Sequence, residues 1–373
     1  MKWLFWFSAA ALAYTYAGYP AWLWLRSRYR RYPEHGVIDP KTVSIVMVVR
    51  NEAEVLDRKL RNLLNLDYPA ELSEIIVVSD GSTDASEDIL CEYSAKSRIR
   101  VLLNSEPRGK PSGLNQAIAI AKGEIVVFTD ARQRIESGAL MSLVPSFADP
   151  AVGCASGELM LGDPDKGEAD LGFGLYWRIE KKIREMESIS GSVVGATGAI
   201  YAVRRALLVP IPEGTILDDV YIPMQVARQG FRVTFDPSVR AWDTADLGGG
   251  REFARKVRTL SGNYQLLQLA PWLLSSSNPL RFEFISHKLM RLFAPIALCS
   301  VFISDLLIPQ PFYRVILLLQ IVFYTLSAIA LTKLASGPLA RVADAACTFV
   351  LLNSAATVAF VNFVIRRPVT WER

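Results

Sequence analysis

The sequence predicts an α/β domain, a parallel sheet alternating with helices, held between membrane-spanning helices. Three observations predict it. Short apolar runs, at Val43–Val49, 74–78 and Ile125–Phe128, are too short for helices and read as buried parallel strands. Between the first two runs, Leu56, Leu60, Leu63 and Leu64 recur at helical spacing, which makes a strand–helix–strand unit. Finally, 51% of the 373 residues are hydrophobic, and they gather at the two ends of the chain.

Residues 3–25 are nearly uncharged and long enough to cross a bilayer, with Trp and Tyr toward both ends of the stretch. Arg26, Arg28, Arg30 and Arg31 follow this span while only Lys2 precedes it, so the positive-inside bias puts residue 26 onward in the cytoplasm. A cleaved signal peptide has the opposite flanks, so a retained anchor is expected. Further spans are expected at 292–308, 312–334 and 342–365. The expected order is therefore a transmembrane helix at 1–25, a basic linker at 26–41 and a cytoplasmic domain at 42–264. Interfacial helices at 265–290, three transmembrane helices within 291–365 and a tail at 366–373 complete it. Strict alternation of four spans puts Lys333 and Arg341 inside but Arg314, Arg366, Arg367 and Arg373 outside, so either one span is re-entrant or the bias fails there. Asp305, within a span, either faces a protein interior or snorkels to the surface.

Composition excludes several classes of function. The net charge of +4 is largely the juxtamembrane arginines, which suit anionic membrane lipids; no nucleic-acid signal is present. Cys91, Cys154, Cys299 and Cys347 are scattered without metal or redox spacing. His35 and His287 stand in no motif and are expected to be incidental.

Each predicted strand ends in residues suited to a ligand. The run 125–128 stops at Thr129-Asp130, which places a carboxylate at the carboxyl edge of the sheet, where open α/β folds bind ligands. Asp130 either ligates a metal or phosphate-bearing group or caps the following turn. Val43–Val49 opens into Arg50-Asn51-Glu52, and 74–78 leads into Asp80-Gly81-Ser82-Thr83-Asp84. In that turn Gly81 lets a ligand approach the backbone, and Asp80 is placed to accept from a base or ribose unless the turn only caps a helix. Lys110, in the Gly-flanked stretch 108–113, is suited to a diphosphate or else is a solvated loop residue.

Taken in order, VVRNE, VVSDGSTD, RGKPSGLNQA and VVFTDA resemble the inverting nucleotide-diphospho-sugar transferases of glycosyltransferase family 2. Gly195–Ala199 before Tyr201 resembles that family's acceptor-side segment, and Leu217-Asp218-Asp219 resembles its catalytic acidic motif. The resemblance covers about residues 42–265, and the flanking spans are similar to those of cellulose, chitin and hyaluronan synthases. It implies a Rossmann-like GT-A domain flanked by transmembrane helices, in a bacterial-type inner membrane. It further implies a nucleotide-sugar donor, most simply a UDP-sugar, and a growing exopolysaccharide or lipid-linked saccharide as acceptor, with room for export partners. Mg²⁺ or Mn²⁺ is the implied cofactor.

By the same resemblance Asp219 is the base, with Asp218 beside it; the alternative is a helix N-cap. The donor site is Val49, Arg50, Asn51, Glu52, Asp80, Gly81, Ser82, Lys110 and Asp130, with Gly198 on the acceptor side; Arg258 either clamps the leaving group or belongs to a basic membrane-facing surface with Arg251 and Arg255. Asp130 is the metal ligand. Departures are equally informative. The Asp-x-Asp motif reads Asp130-Ala131-Arg132, and Arg132 either sits by the phosphates or points to solvent. Of the processive enzymes' Gln-x-x-Arg-Trp motif, only Arg258 remains, in Arg255-Lys256-Val257-Arg258-Thr259. That leaves a non-processive transfer to a polyprenyl-linked acceptor, or a silent membrane subunit, as alternatives. Residues 173–186 read as an amphipathic helix on which Trp177 either stacks on an acceptor sugar or packs in the core or membrane.

Overall fold

The computed structural model describes residues 1–30, 40–95, 98–163, 168–169, 175–243, 249–332 and 336–367. Arg31, His35, Lys333, Arg373 and the first two residues of the 173–186 segment lie outside the described residues.

Nine strands form one sheet among the described residues: β1 Val43–Val49, β2 Ser73–Asp80, β3 Ile99–Asn104, β4 Ile125–Phe128, β5 Arg134–Ile135, β6 Val152–Asp163, β7 Glu168–Ala169, β8 Tyr201–Arg204 and β9 Arg232–Asp243. Their order is β3-β2-β1-β4-β8-β6-β9-β5, with β7 on β6. β3, β2, β1 and β4 are mutually parallel. The expected parallel sheet stops there, because β8 runs antiparallel to both β4 and β6. The sheet is mixed: a parallel half joined through β8 to a second half in which β6 and β9 are parallel and β5 is antiparallel to β9.

All seven residues of β1 are buried. Val43, Ile45, Met47 and Val49 point to one core and Val46 and Val48 to the other, so both faces of the strand are covered, and an unbroken apolar run results. Helices Ala53–Leu64, Ser86–Ser94 and Ala139–Leu143 fill the first face, while Lys110–Ile120 and Asp218–Arg228 fill the second. Because β1, β2 and β4 are parallel and neighbouring, Val49, Asp80 and Phe128 finish at one edge, and the loops that follow them meet there.

Among the described residues three helices are long and apolar enough to cross a membrane: Arg281–Leu307, Pro311–Thr332 and Gly337–Val364. The first begins earlier than expected, so the boundary drawn at residue 290 falls inside a continuous helix. The N-terminal helix, expected as a fourth span, is not among these three. It runs from Lys2 to Arg28 with a π-turn at Tyr14–Gly18, a stretch whose Tyr, Thr, Gly and Pro residues dilute its hydropathy. Phe5 packs edge-on to Tyr313 at 4.8 Å, tying it to the second apolar helix. Asp305 is fully buried, with no hydrogen-bond partner for either carboxylate oxygen among the described residues.

Candidate active site

The loops after β1 and β2 are laced together. Asn51, at φ 54°, accepts from Thr83 N–H through its Oδ1 at 2.8 Å, and its own N–H donates to Ser82 Oγ at 3.2 Å. Glu52 N–H donates to Ser86 Oγ at 2.9 Å and Ala53 N–H to Asp84 Oδ2 at 3.1 Å, so the second loop caps the helix that follows the first. Asp84 is the capping acid, which holds its carboxyl below the usual range against the opposing effect of partial burial. The Val49 side chain lies in the core, so only its main chain is available to a donor.

Two residues of this region are engaged by the chain itself. Asp80 is fully buried, and its oxygens accept from Arg108 N–H at 2.8 Å and Gly109 N–H at 2.9 Å. Through these two bonds its carboxylate fixes the turn that delivers Lys110. Gly81 is needed for a close approach, but to the chain itself: a Cβ there would lie 2.6 Å from Pro107 N, at φ +63°.

Lys110 is the first residue of helix Lys110–Ile120, launched by Gly109 at φ 89°, and not a loop residue. Its Nζ lies 2.9 Å from Asp130 Oδ1 and 3.1 Å from Asp218 Oδ1. Asp130 follows β4. Asp218 and Asp219 open helix Asp218–Arg228 on the opposite face. The segment before β8 closes the ring, because β8 pairs with β4, with Phe128 opposite Tyr201 and their rings stacked at 4.7 Å. Thr129 Oγ1 donates to Ala199 O at 2.8 Å, and Ala196 N–H donates to Asp219 O at 2.7 Å. Gly198 is thereby held over the acids: a Cβ on it would lie 3.2 Å from Asp130 Oδ2 and 3.6 Å from Asp219 Oδ2.

One ammonium faces three carboxylates here. Burial pushes the Asp219 carboxyl up to about 6, with the Asp218 charge adding to the rise and Lys110 opposing it. Asp218 is raised by burial too, and Lys110 pulls it back. Burial would lower the Lys110 ammonium, but Asp130 and Asp218 outweigh it and hold the charge firmly. Tyr201, wholly buried, has no partner for its hydroxyl among the described residues, and burial followed by the Asp218 and Asp219 charges drives it well above the ordinary phenol value.

Lys59 was missed by the sequence reading. It is 2% exposed, and its Nζ donates to Thr129 Oγ1 at 2.8 Å and to Gln133 O at 2.6 Å, beneath the loop that carries Asp130. Burial lowers its ammonium to about 7, against the opposing pull of Asp130. Two acceptors match the two N–H bonds of a neutral amine. The signal was present in the sequence, since Lys59 stands on the Leu56, Leu60, Leu63 stripe. Gln133 Nε2 in turn donates to the buried Asp243 Oδ2 at 2.9 Å, and Arg255 approaches the same oxygen at 3.8 Å.

The remaining residues lie apart from this cluster. Arg132 is exposed, 3.8 Å from Glu52, bridging the β1 and β4 loops. Arg50 is half-buried beside them. Trp177 lines a small cleft with Glu158, Lys181, Thr197 and Phe235, next along the chain from Gly198. Arg258 is half-exposed on helix Gly249–Leu269, with no ion pair among the described residues.

A parallel half sheet joined to a second half, with acids and a lysine at the shared carboxyl edge, is the arrangement of the GT-A fold. Residues 44–209 match the model described as glycosyl transferase family 2. The poly-beta-1,6-N-acetyl-D-glucosamine synthase of Staphylococcus aureus is 22% identical over 247 residues, which cover 65% of this chain and 60% of that protein. The synthase of the same name from Staphylococcus epidermidis is 22% identical over 62% of this chain and 56% of its own length. The chain thus spans about 60% of the length of these relatives. A mannosyltransferase from Pyrobaculum calidifontis, solved in complex with GDP-Man and Mn²⁺, shares the fold with a TM-score of 0.74 and 22% identity, over 98% of this chain and all of that one.

Proposed function

We propose that this protein is a membrane-attached inverting glycosyltransferase that moves a sugar from a nucleotide-sugar, preferentially a UDP-sugar, onto a growing exopolysaccharide or a lipid-linked saccharide. The convergence of Lys110, Asp130 and Asp219 around Gly198 is the observation that carries this reading. Asp219 is the base: with its carboxyl pushed up to about 6 it is ionised at neutral pH, yet basic enough to take a hydroxyl proton. The acceptor oxygen attacks the anomeric carbon from the side opposite the nucleoside diphosphate. The bond to the diphosphate breaks, the configuration inverts, and Asp219 keeps the acceptor's proton. Gly198, without a side chain, leaves the space between Asp130 and Asp219 open for the reacting groups. Lys110 offsets the charge of the departing diphosphate, and Trp177 lines the acceptor side.

A divalent cation fits these residues. Asp130 Oδ2 faces the open space at Gly198, but no group of three His, Cys, Asp or Glu side chains forms a cage among the described residues. Asp130 would hold Mg²⁺ or Mn²⁺ together with donor phosphate oxygens, the pattern usual for hard cations at diphosphates. When bound, the ion supplies neutralisation of the leaving group. The main chain of Val49, with Arg50, Asn51, Glu52 and Ser82, borders the nucleoside side, and Arg258 approaches the leaving group as the donor fills the cleft. The arginines at 26, 28 and 30 favour a cytoplasmic face for the domain. Single addition to a polyprenyl-linked acceptor is a second reading, favoured by the loss of the Gln and Trp around Arg258.

The test is nucleoside diphosphate release from a panel of nucleotide sugars, UDP-N-acetylglucosamine and GDP-mannose first, by the full chain in detergent with and without Mg²⁺ or Mn²⁺. Metal-dependent turnover of one donor is expected, and product length separates polymer from single addition. Donor binding without any turnover would overturn the reading in favour of a silent subunit.

A further inference from the structure

The membrane-proximal part of the chain contains a buried ionic cluster that the transfer site does not use. His287 is 1% exposed, in the π-turn Ile285–Leu289 of helix Arg281–Leu307. Its Nδ1 lies 2.8 Å from Glu187 Oε1 and its Nε2 3.0 Å from Glu180 Oε1. Both acids are buried and stand on one face of helix Leu175–Ser190, two turns apart. Tyr19 Oη, from the N-terminal helix, donates to Glu187 Oε1 at 2.6 Å. Arg291 pairs with Glu180 Oε2, while Arg184 Nε stands 3.7 Å from Glu180 Oε1 and Lys288 faces the cluster.

Two features give this cluster a direction. The π-turns at Tyr14–Gly18 and Ile285–Leu289 face one another, with Tyr14 Oη 2.6 Å from Ser286 Oγ, so two irregular turns, of a kind common at functional sites, aim Tyr19 and His287 at the same carboxylate. The other oxygen of that carboxylate leads out toward the site: Glu187 Oε2 accepts from Val194 N–H at 3.3 Å. Val194 opens the segment whose Ala196 N–H donates to Asp219 O at 2.7 Å and whose Gly198 borders both acids. From His287 to the backbone of Asp219 there are thus three hydrogen bonds joined by short stretches of chain.

The ring of His287 is thus held between the two glutamates by one hydrogen bond at each nitrogen. Although burial opposes ionisation, Arg291 and His287 hold the Glu180 carboxyl well below the usual range, and His287 lowers that of Glu187. Removing the ring would leave two buried carboxylates short of a donor, and Glu187 free to turn away from Val194.

We propose that His287 is a positioning residue that, through Glu187 and Val194, couples the seating of the membrane helices to the placement of the acceptor-side segment 194–198 and of Asp219. This rests on the transferase reading, in which that segment borders the acceptor and Asp219 is the base. Displacement of a reacting group by about 1 Å costs on the order of a hundredfold in rate, so the effect belongs in kcat and not in donor affinity.

The experiment uses the full chain in vesicles of phosphatidylethanolamine and phosphatidylglycerol, with the donor that turns over fastest. Variants His287→Gln and Tyr19→Phe are compared with the wild type for kcat, donor KM and nucleoside diphosphate affinity. For His287→Gln, kcat falls about 30-fold while donor KM and nucleotide affinity stay within about threefold. Tyr19→Phe, which removes one of three donors on Glu187, lowers kcat by only a few-fold. Equal losses in kcat and nucleotide affinity would make the cluster a structural strut and overturn the proposal, as would an unchanged kcat. Absence of transfer by the wild type would overturn the proposed function and this inference with it, whereas wild-type transfer matched by His287→Gln overturns the inference alone.

Discussion

Asp218→Asn tests the electrostatics of the acidic pair directly. The Asp219 carboxyl is pushed up to about 6 by burial first and by the Asp218 charge second. Two carboxylates on adjacent residues, roughly 6 Å apart in an effective dielectric of about 20, repel by about 3 kcal/mol, or about two pH units. Lys110 Nζ, 3.1 Å from Asp218 Oδ1, neutralises part of that field, so about one unit reaches Asp219. In Asp218→Asn the lysine remains on Asp130, at 2.9 Å, and burial of Asp219 is unchanged. The acid limb of kcat/KM should therefore move from about 6 in the wild type to about 5, read from initial rates of nucleoside diphosphate release between about pH 4.5 and 8. A limb that stays in place or moves upward would refute the reasoning. The linkage has a definite sign. A carboxyl raised in the folded state binds its proton more tightly there, so its contribution to stability is full below the ordinary carboxylate range and is lost as the pH rises through about 6.

Three further outcomes are expected. Asp80→Asn leaves Arg108 N–H and Gly109 N–H facing one amide oxygen and an amide donor, so the turn before Lys110 loosens and nucleoside diphosphate affinity, measured by calorimetry, falls about tenfold or more. Lys59→Met changes the pH dependence of stability. The wild-type lysine, lowered to about 7 when folded, makes the protein gain about 2–3 kcal/mol between pH 7 and 9, because the unfolded chain stays protonated there; the variant lacks that rise in thermal midpoint. Asp130→Ala raises the Mg²⁺ or Mn²⁺ concentration needed for half-maximal turnover at least tenfold, whereas an unchanged metal requirement would remove Asp130 from the site.

Much of the parallel half was legible because its strands, buried on both faces, are unbroken apolar runs that end in polar turns. The other half was harder to read: β6 and β9 are long, bulged strands with mixed burial, and β8 reverses direction through a loop whose path depends on tertiary pairing. At the site, Lys110, Asp130, Gly198 and Asp219 lie together, and the backbone bonds of Asp80 and the close approach at Gly81 were not legible, because no turn pattern distinguishes contacts with the chain from contacts with a ligand. Lys59 was readable as a charge on an apolar stripe. His287 was not, because its two partners lie about 100 residues away in sequence and only the fold brings them to it. In the first helix, length and aromatic ends suggest a span, while its tyrosines, Thr15 and Pro20 lower its hydropathy.

The most direct test of the central claim is Asp219→Asn, assayed for sugar transfer and, separately, for nucleoside diphosphate binding. The substitution keeps the shape of the side chain and removes its capacity to take a proton. Transfer should fall about 10³-fold with nucleotide affinity unchanged. Transfer at the wild-type rate would contradict the account and remove Asp219 as the base.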